Sequence, residues 1–293
     1  MMNDAISDQT DQAEHRAWIH GQFARAVEHF GLVVTGEPIE GWHLRSVSAR
    51  ALGRHGPCWV RVGAEYEEWI DEHWTGIPDS NVITGVPKPR VLHSLEWHHS
   101  DRGQRVRADV MTLMPGHPCS PTDVLHVELD LPQNWWAQLH RAVAIIRATP
   151  TTRFAQYTHT KSGRIRKVFG DRVAEALQHH TRWETVHGDL HWNNLLCPEF
   201  GLLDWELWGL GSVGSDAATL YCFSLLVPDV ARRVHELFAD VLDSPTGHIA
   251  QLSAASRILH RAEQGQYPHL TDAIRSHIQP ILDTVAVPET GTA

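Results

Sequence analysis

VHGDLHWNNLLCPEFGLLDWE, residues 186–206, sets two Asp, two His, two Asn and two Glu between short apolar runs. Leu195-Leu196 and Leu202-Leu203 read as the arms of a hairpin, turned by CPEFG. Within it, His187-Gly188-Asp189 is followed by Asn194 and, after the second apolar arm, by Asp204. Such a hairpin brings Asn194 and Asp204 to one side. The bland alternative is a polar turn that caps a helix, since Asp and Asn favour turns. HGDLHWNN, GLLDWE and the downstream GSVGSDAATL together are more specific than a turn requires.

Outward from this stretch, the chain changes character near MPGHPCSP, residues 114–121, a run of breakers read as a linker. Before it, Trp18, Ile19, Phe23, Val27 and Phe30 recur at helical spacing, with Gly31 as a stop. Short strands follow: LVVTGEPIEGW, SVSARAL, CWVRV, RVLHSLEWH and RADVMTL. Residues 64–74, rich in Glu and Trp, predict a short helix. After the linker, helices are predicted over 135–147, 171–180, 217–227, 231–242, 249–263 and 270–285.

The 293 residues suffice for two lobes, and 42% hydrophobic content is that of a globular protein. A formal net charge of −10 argues against nucleic acid as a partner and is compatible with a cationic small substrate. No apolar run reaches the roughly 18 residues of a membrane span. The polar N-terminus lacks a secretory pattern, so a cytoplasmic protein is expected. Cys58, Cys119, Cys197 and Cys222 have no metal or redox spacing and read as buried thiols. The pairs His98-His99 and His179-His180 point their rings apart and read as solvated or capping groups.

The sequence His187-Gly188-Asp189, Asn194 and Asp204 resembles the aminoglycoside phosphotransferase family, the small-molecule branch of the protein-kinase-like fold. The likeness runs from about Ile39 to Tyr221 and is specific over 186–221. It implies an α+β, two-lobed fold with the active site in the cleft. Residues 1–30 would form a tail and helix, 31–116 a β-rich nucleotide-binding lobe with its hinge, 117–285 a helical catalytic and substrate-binding lobe, and 286–293 a tail. The implied reaction moves the γ-phosphoryl group of ATP or GTP, with Mg²⁺, to a hydroxyl of a small molecule. The catalytic pair would be Asp189, as base, and His187, bracing the loop. Asn194 and Asp204 would ligate Mg²⁺, as suits hard oxygen donors. His191 and Asn193 read as local structure. Asp216 would open a helix and hold the loop by accepting backbone N–H bonds.

In the first lobe, the resemblance implies that Arg61 clamps phosphates, and alternation turns Val60 and Val62 to the other face. The lysines, Lys88, Lys161 and Lys167, do not compete for this role. The acid partner of Arg61 is expected on the predicted helix, among Glu65, Glu67, Glu68 and Glu72, with Glu67 the first choice. The loop 42–46 would cover the phosphates, although only Gly41 is present there. Met111, Leu113 and Met114, in DVMTLMPG, would line the adenine edge. Glu206, Asp229, Asp240, Asp243 and Glu263 could bind an aminated acceptor or be ordinary surface. An aminoglycoside or related antibiotic is the first acceptor class; other amino-alcohols, sugars or natural products are alternatives. A monomer or homodimer is expected. A catalytically silent nucleotide-binding module is the rival from another class, motivated by the degraded Gly loop.

Overall fold

The computed structural model describes residues 2–155, 162–178 and 182–286, in two compact units. The His179-His180 pair, Lys161 and the tail from 287 lie outside the described residues. Unit one comprises 1–82 and 89–114, and unit two comprises 83–88 and 115–293. No helix is long and apolar enough to cross a membrane, among the described residues.

Unit one consists of helix α1 (Met2–His29), strands β1 (Val33–Val34), β2 (Ile39–Glu40), β3 (Ser46–Gly53) and β4 (Gly56–Tyr66), the single turn α2 (Gly76–Asp79), and strands β5 (Val91–His99) and β6 (Gln104–Thr112). The sheet runs β1-β3-β4-β6-β5, with β2 also on β3, and every pairing is antiparallel. Alternation along β4 decides its faces. Cys58, Val60, Val62 and Ala64 are buried with Val47, Ala49, Val106, Ala108 and Val110, and Ile19, Phe23 and Ala26 of α1 join the same core. Those α1 positions follow helical spacing, so one stripe of the helix covers one face of the sheet. Ile19 is fully buried. Ile19→Ala should cost about 2–5 kcal/mol by opening a cavity there, read as a lowered denaturation midpoint with an unchanged slope.

The predicted helix over 64–74 does not form. Pairing of β4 with β6 continues to Tyr66↔Gln104 and keeps the chain extended. Two 3₁₀ turns follow, Glu67–Trp69 and Glu72–Thr75, the second capped by Asp71, which accepts the His73 N–H at 2.8 Å.

Unit two consists of β7 (His117–Pro118), α3 (Gln133–Ala148), α4 (Ser162–Phe169), α5 (Asp171–Gln178), β8 (Trp183–Val186), β9 (Leu195–Cys197), β10 (Gly201–Leu202), β11 (Gly209–Ser212), α6 (Ser215–Ser224), α7 (Pro228–Leu237), α8 (Ala239–Leu242), α9 (Pro245–Ala262) and α10 (Thr271–Ala286). The expected linker thus contains a strand, since β7 pairs with β9. The single helix expected over 231–242 is broken at Phe238, which is fully buried and leaves helical φ at −124°. The tryptophans of the opening stretch are core supports whose N–H groups are satisfied. Trp192 donates to Ser224 Oγ at 3.0 Å and Trp205 to the Leu202 carbonyl at 2.9 Å, while Trp135 of α3 donates to the Leu196 carbonyl at 2.8 Å. The polar loop between β8 and β9 therefore sits on a rigid floor.

Candidate active site

Strand β8 pairs antiparallel with β11, so Val186 lies opposite Gly209 and the chain enters the loop at His187. Gly188 follows with φ +87°, where a Cβ would stand 2.3 Å from the Leu207 carbonyl oxygen. Only glycine fits both demands. Gly188→Ala should destabilise the protein by about 3 kcal/mol or more, through backbone strain and overpacking together, measured by denaturant unfolding.

Asp216, on the first turn of α6, grips this entry. Its two carboxylate oxygens accept the N–H of His187 at 2.6 Å and of Gly188 at 3.0 Å. The cap of α6 itself is Gly214, so the Asp216 side chain serves the loop and not its own helix end. Burial pushes its carboxyl up to about 6, against the pull of the two N–H groups, and Glu184 adds to the rise.

Leu203 clasps the loop from the other side. Its N–H donates to the Asn194 carbonyl at 2.8 Å, continuing the Leu195↔Leu202 pairing of the hairpin, and its carbonyl accepts His187 Nε2 at 2.9 Å. Asn194 therefore lies opposite Leu203, one residue before Asp204. His187 is fully buried against Trp205, with ring centroids 4.8 Å apart. Burial drives its pKa down to about 4, so the ring is neutral and Nε2 carries the proton donated to Leu203. His187 is thus a positioning residue, closed off from any substrate.

Asp189 emerges from this frame, its side chain partly open to solvent. Burial would raise its pKa, but the hydrogen bond and charge of His191, with Arg257 and His187, hold it down to about 2. His191 Nε2 is 3.2 Å from Asp189 Oδ2 and 3.5 Å from Asp123 Oδ1. Burial opposes charge on His191, yet Asp189, Asp123 and Asp204 together raise its pKa above the ordinary imidazole value. A carboxylate only accepts, so Nε2 points its proton at Asp189, and the 3.2 Å approach of the Asn194 amide nitrogen is a packing contact. His191, read from sequence as local structure, is the hub of the site. Its place two residues after Asp189 was the available signal. Asn193 is local, donating to the Ser120 carbonyl at 2.9 Å.

Asn194 is buried and donates its amide nitrogen to the Asp189 carbonyl at 3.0 Å, which leaves the amide oxygen as its acceptor group. Asp204 is exposed and held at φ +55°, a left-handed conformation that Asp adopts more readily than most residues. Both are hard oxygen donors, the chemistry that Mg²⁺ takes. No group of three or more His, Cys, Asp or Glu side chains forms a metal cage among the described residues. Two protein donors completed by phosphate and water oxygens match the way Mg²⁺ is usually held. Lys88, set aside from sequence, is buried in unit two with its ammonium 5.1 Å from the ring centroid of Trp205, the residue after Asp204 in sequence.

In unit one, Arg61 lies on the sheet face opposite Val60 and Val62, directly across from Asp109 on β6 and Ser48 on β3. Asp109 is almost fully buried, and burial raises its carboxyl despite Ser94, Arg107 and Arg61. Asp109 of the neighbouring strand therefore stands opposite Arg61 across the sheet. Glu67, the expected partner, is half-exposed in a 3₁₀ turn and pairs with His98 and Arg105. Glu65, four residues along from Arg61, is buried and bound to Arg45 and His73. The loop at Gly41 is a tight turn closed by its N–H on the Ser46 carbonyl at 2.8 Å. Met111, next to last in β6, lies opposite Trp59, and Leu113 and Met114 follow the strand as the chain leaves unit one.

No protein-family model matches the chain, and no curated protein matches it in sequence. Solved structures do match in fold. Amicoumacin kinase, in complex with AMP-PNP, Ca²⁺ and Ami, aligns with TM-score 0.61 at 12% identity, covering 94% of this chain and 96% of that one. A thermostable mutant of the aminoglycoside phosphotransferase APH(4)-Ia, in ternary complex with ADP and hygromycin B, aligns with TM-score 0.57 at 15% identity, covering 89% and 97%. A putative aminoglycoside phosphotransferase from Ralstonia eutropha JMP134 aligns with TM-score 0.54 at 15% identity, covering 94% and 96%. The chain has the α+β, two-unit kinase-like fold of these aminoglycoside phosphotransferases and small-molecule kinases.

Proposed function

We propose that this chain is a Mg²⁺-dependent small-molecule kinase, moving the γ-phosphoryl group of ATP or GTP to a hydroxyl. The observation that carries this is the grouping of an ionised Asp189, the Asn194 side-chain amide and the exposed Asp204 around His191. Neighbouring folds crystallised with ADP or AMP-PNP support an adenine nucleotide as donor.

In this reading the acceptor oxygen attacks the γ-phosphorus. The new O–P bond forms as the bond from that phosphorus to the β,γ-bridging oxygen breaks, and the nucleoside diphosphate leaves with the electron pair. The hydroxyl proton passes to Asp189 and on to water. A carboxyl held near 2 is a weak base, so Asp189 orients the hydroxyl first and takes the proton late, as a loose transition state allows. Asn194 and Asp204 would hold Mg²⁺, whose charge offsets that on the phosphates. Arg61 supplies a guanidinium for phosphate, kept in place by the strand pair with Asp109. Arg61→Met should raise the nucleotide KM roughly tenfold or more with a smaller change in kcat, read in an ADP-release assay with saturating acceptor. The same assay tests the function: ADP release must require both Mg²⁺ and an added acceptor.

A further inference from the structure

Three arginines gather on the side of unit two that carries Asp189. Arg257 and Arg261 stand one turn apart on α9, and Arg164 lies on α4, which packs against α9. Arg257 donates through Nη2 to Thr219 Oγ1 at 3.0 Å, one turn along α6 from Asp216. Arg261 donates through Nη1 to the Tyr267 hydroxyl at 3.3 Å. That hydroxyl donates to Asp123, whose other oxygen is 3.5 Å from His191 Nε2. The same nitrogen is 3.2 Å from Asp189. One chain of contacts thus joins Arg261 to Asp189.

Burial and the charges of Arg257 and Arg261 lower the pKa of Arg164, so the guanidiniums are near enough to repel. Tyr267 sits at φ +54°, a costly conformation for a non-glycine residue that is kept where surroundings fix it. Arg257 acts by its charge on Asp189 and Asp216, while Asp123 is engaged by Tyr267 and His191, and Glu263 by His260 at 3.4 Å. Of those weighed for an aminated acceptor, Asp229 pairs with Arg232 at 2.5 Å and Asp243 with His235 at 2.8 Å. Clustered guanidiniums in a protein of net charge −10 focus a local positive field. Such a field repels a polycation and attracts an oxyanion.

We propose that the acceptor carries an oxyanion, a carboxylate or a phosphate, near the hydroxyl that is phosphorylated, and that Arg164, Arg257 and Arg261 hold it. This deepens the kinase reading and rests on it. A guanidinium grips either oxyanion bidentately. The bond changes remain those given above, with the anion a handle that takes no part in them.

Calorimetric titration tests the proposal with glycerol 3-phosphate, glycerate and a polycationic aminoglycoside as probes, on the whole protein. Wild type should bind at least one of the two oxyanions, and which one names the source. The Arg164→Gln, Arg261→Gln double variant should bind it about tenfold or more weakly. Arg261→Lys, with the charge kept, should lose less. Equal oxyanion binding by wild type and double variant, no oxyanion binding at millimolar concentration, or aminoglycoside binding that the substitutions leave untouched overturns it. ATP with Mg²⁺ is titrated separately. Oxyanion binding that needs the arginines, without any nucleotide binding, sinks the kinase reading and keeps the anion site.

Discussion

Asp189→Ala should lower kcat by about 10²–10⁴-fold, the range for a positioned acid–base group, while the nucleotide KM stays within a few-fold. The reasons lie in the frame and not in Asp189 alone. His187, Leu203 and Asp216 fix the loop through bonds that do not involve the Asp189 carboxylate. Removing that side chain therefore leaves the fold intact, and the lost rate reports its chemistry. One consequence separates the two neighbours. Without Asp189, His191 loses the first of the partners that raise its pKa, so its NMR titration midpoint should fall. Steady-state kinetics with ordered unfolding curves for both proteins check the first part. Turnover within tenfold of wild type would remove Asp189 from the reaction.

Asp204→Ala should cut kcat/KM on the order of 10²–10³-fold, as removal of one stabilising group at developing charge does, and should move the Mg²⁺ requirement to higher concentration. Asp204 is exposed, so its loss costs little burial energy. It is the carboxylate of the candidate metal pair; Asn194 offers only a neutral amide oxygen. Removing the charged member is the heavier loss, because Mg²⁺ gives up its water reluctantly and needs strong oxygen donors to do so. Activity measured across a Mg²⁺ titration checks this. An unchanged Mg²⁺ midpoint would show that the metal, if used, is held elsewhere.

The candidate stretch was legible as a unit because its geometry is local. Asp189, Asn194 and Asp204 are brought together by one turn and one hairpin, both written in adjacent residues. Alternation likewise placed Arg61 on the face away from Val60 and Val62. Asp109 was not foreseen opposite it because strand pairing, and not helical periodicity, decides which residue stands there. Asp109 is 48 residues away in sequence, yet directly opposite on β6. The helix over 64–74 failed for the same reason: the ladder to β6 outlasted the local preference of a Glu-rich segment. Arg164, Arg257 and Arg261 were invisible as a group, since α4 and α9 meet only through tertiary packing. Lys88 was dismissed for its flanking prolines, whereas the fold buries it over Trp205.

The most direct measurement is the mass of acceptors after incubation with purified protein, Mg²⁺ and ATP or GTP, with Asp189→Ala run alongside. The panel spans phosphorylated and carboxylated alcohols as well as aminoglycosides. A product heavier by one phosphoryl group, formed by wild type and absent with the variant, is the predicted result. The same product formed equally by both proteins, or nucleotide bound with Mg²⁺ and never transferred to any hydroxyl, would contradict it.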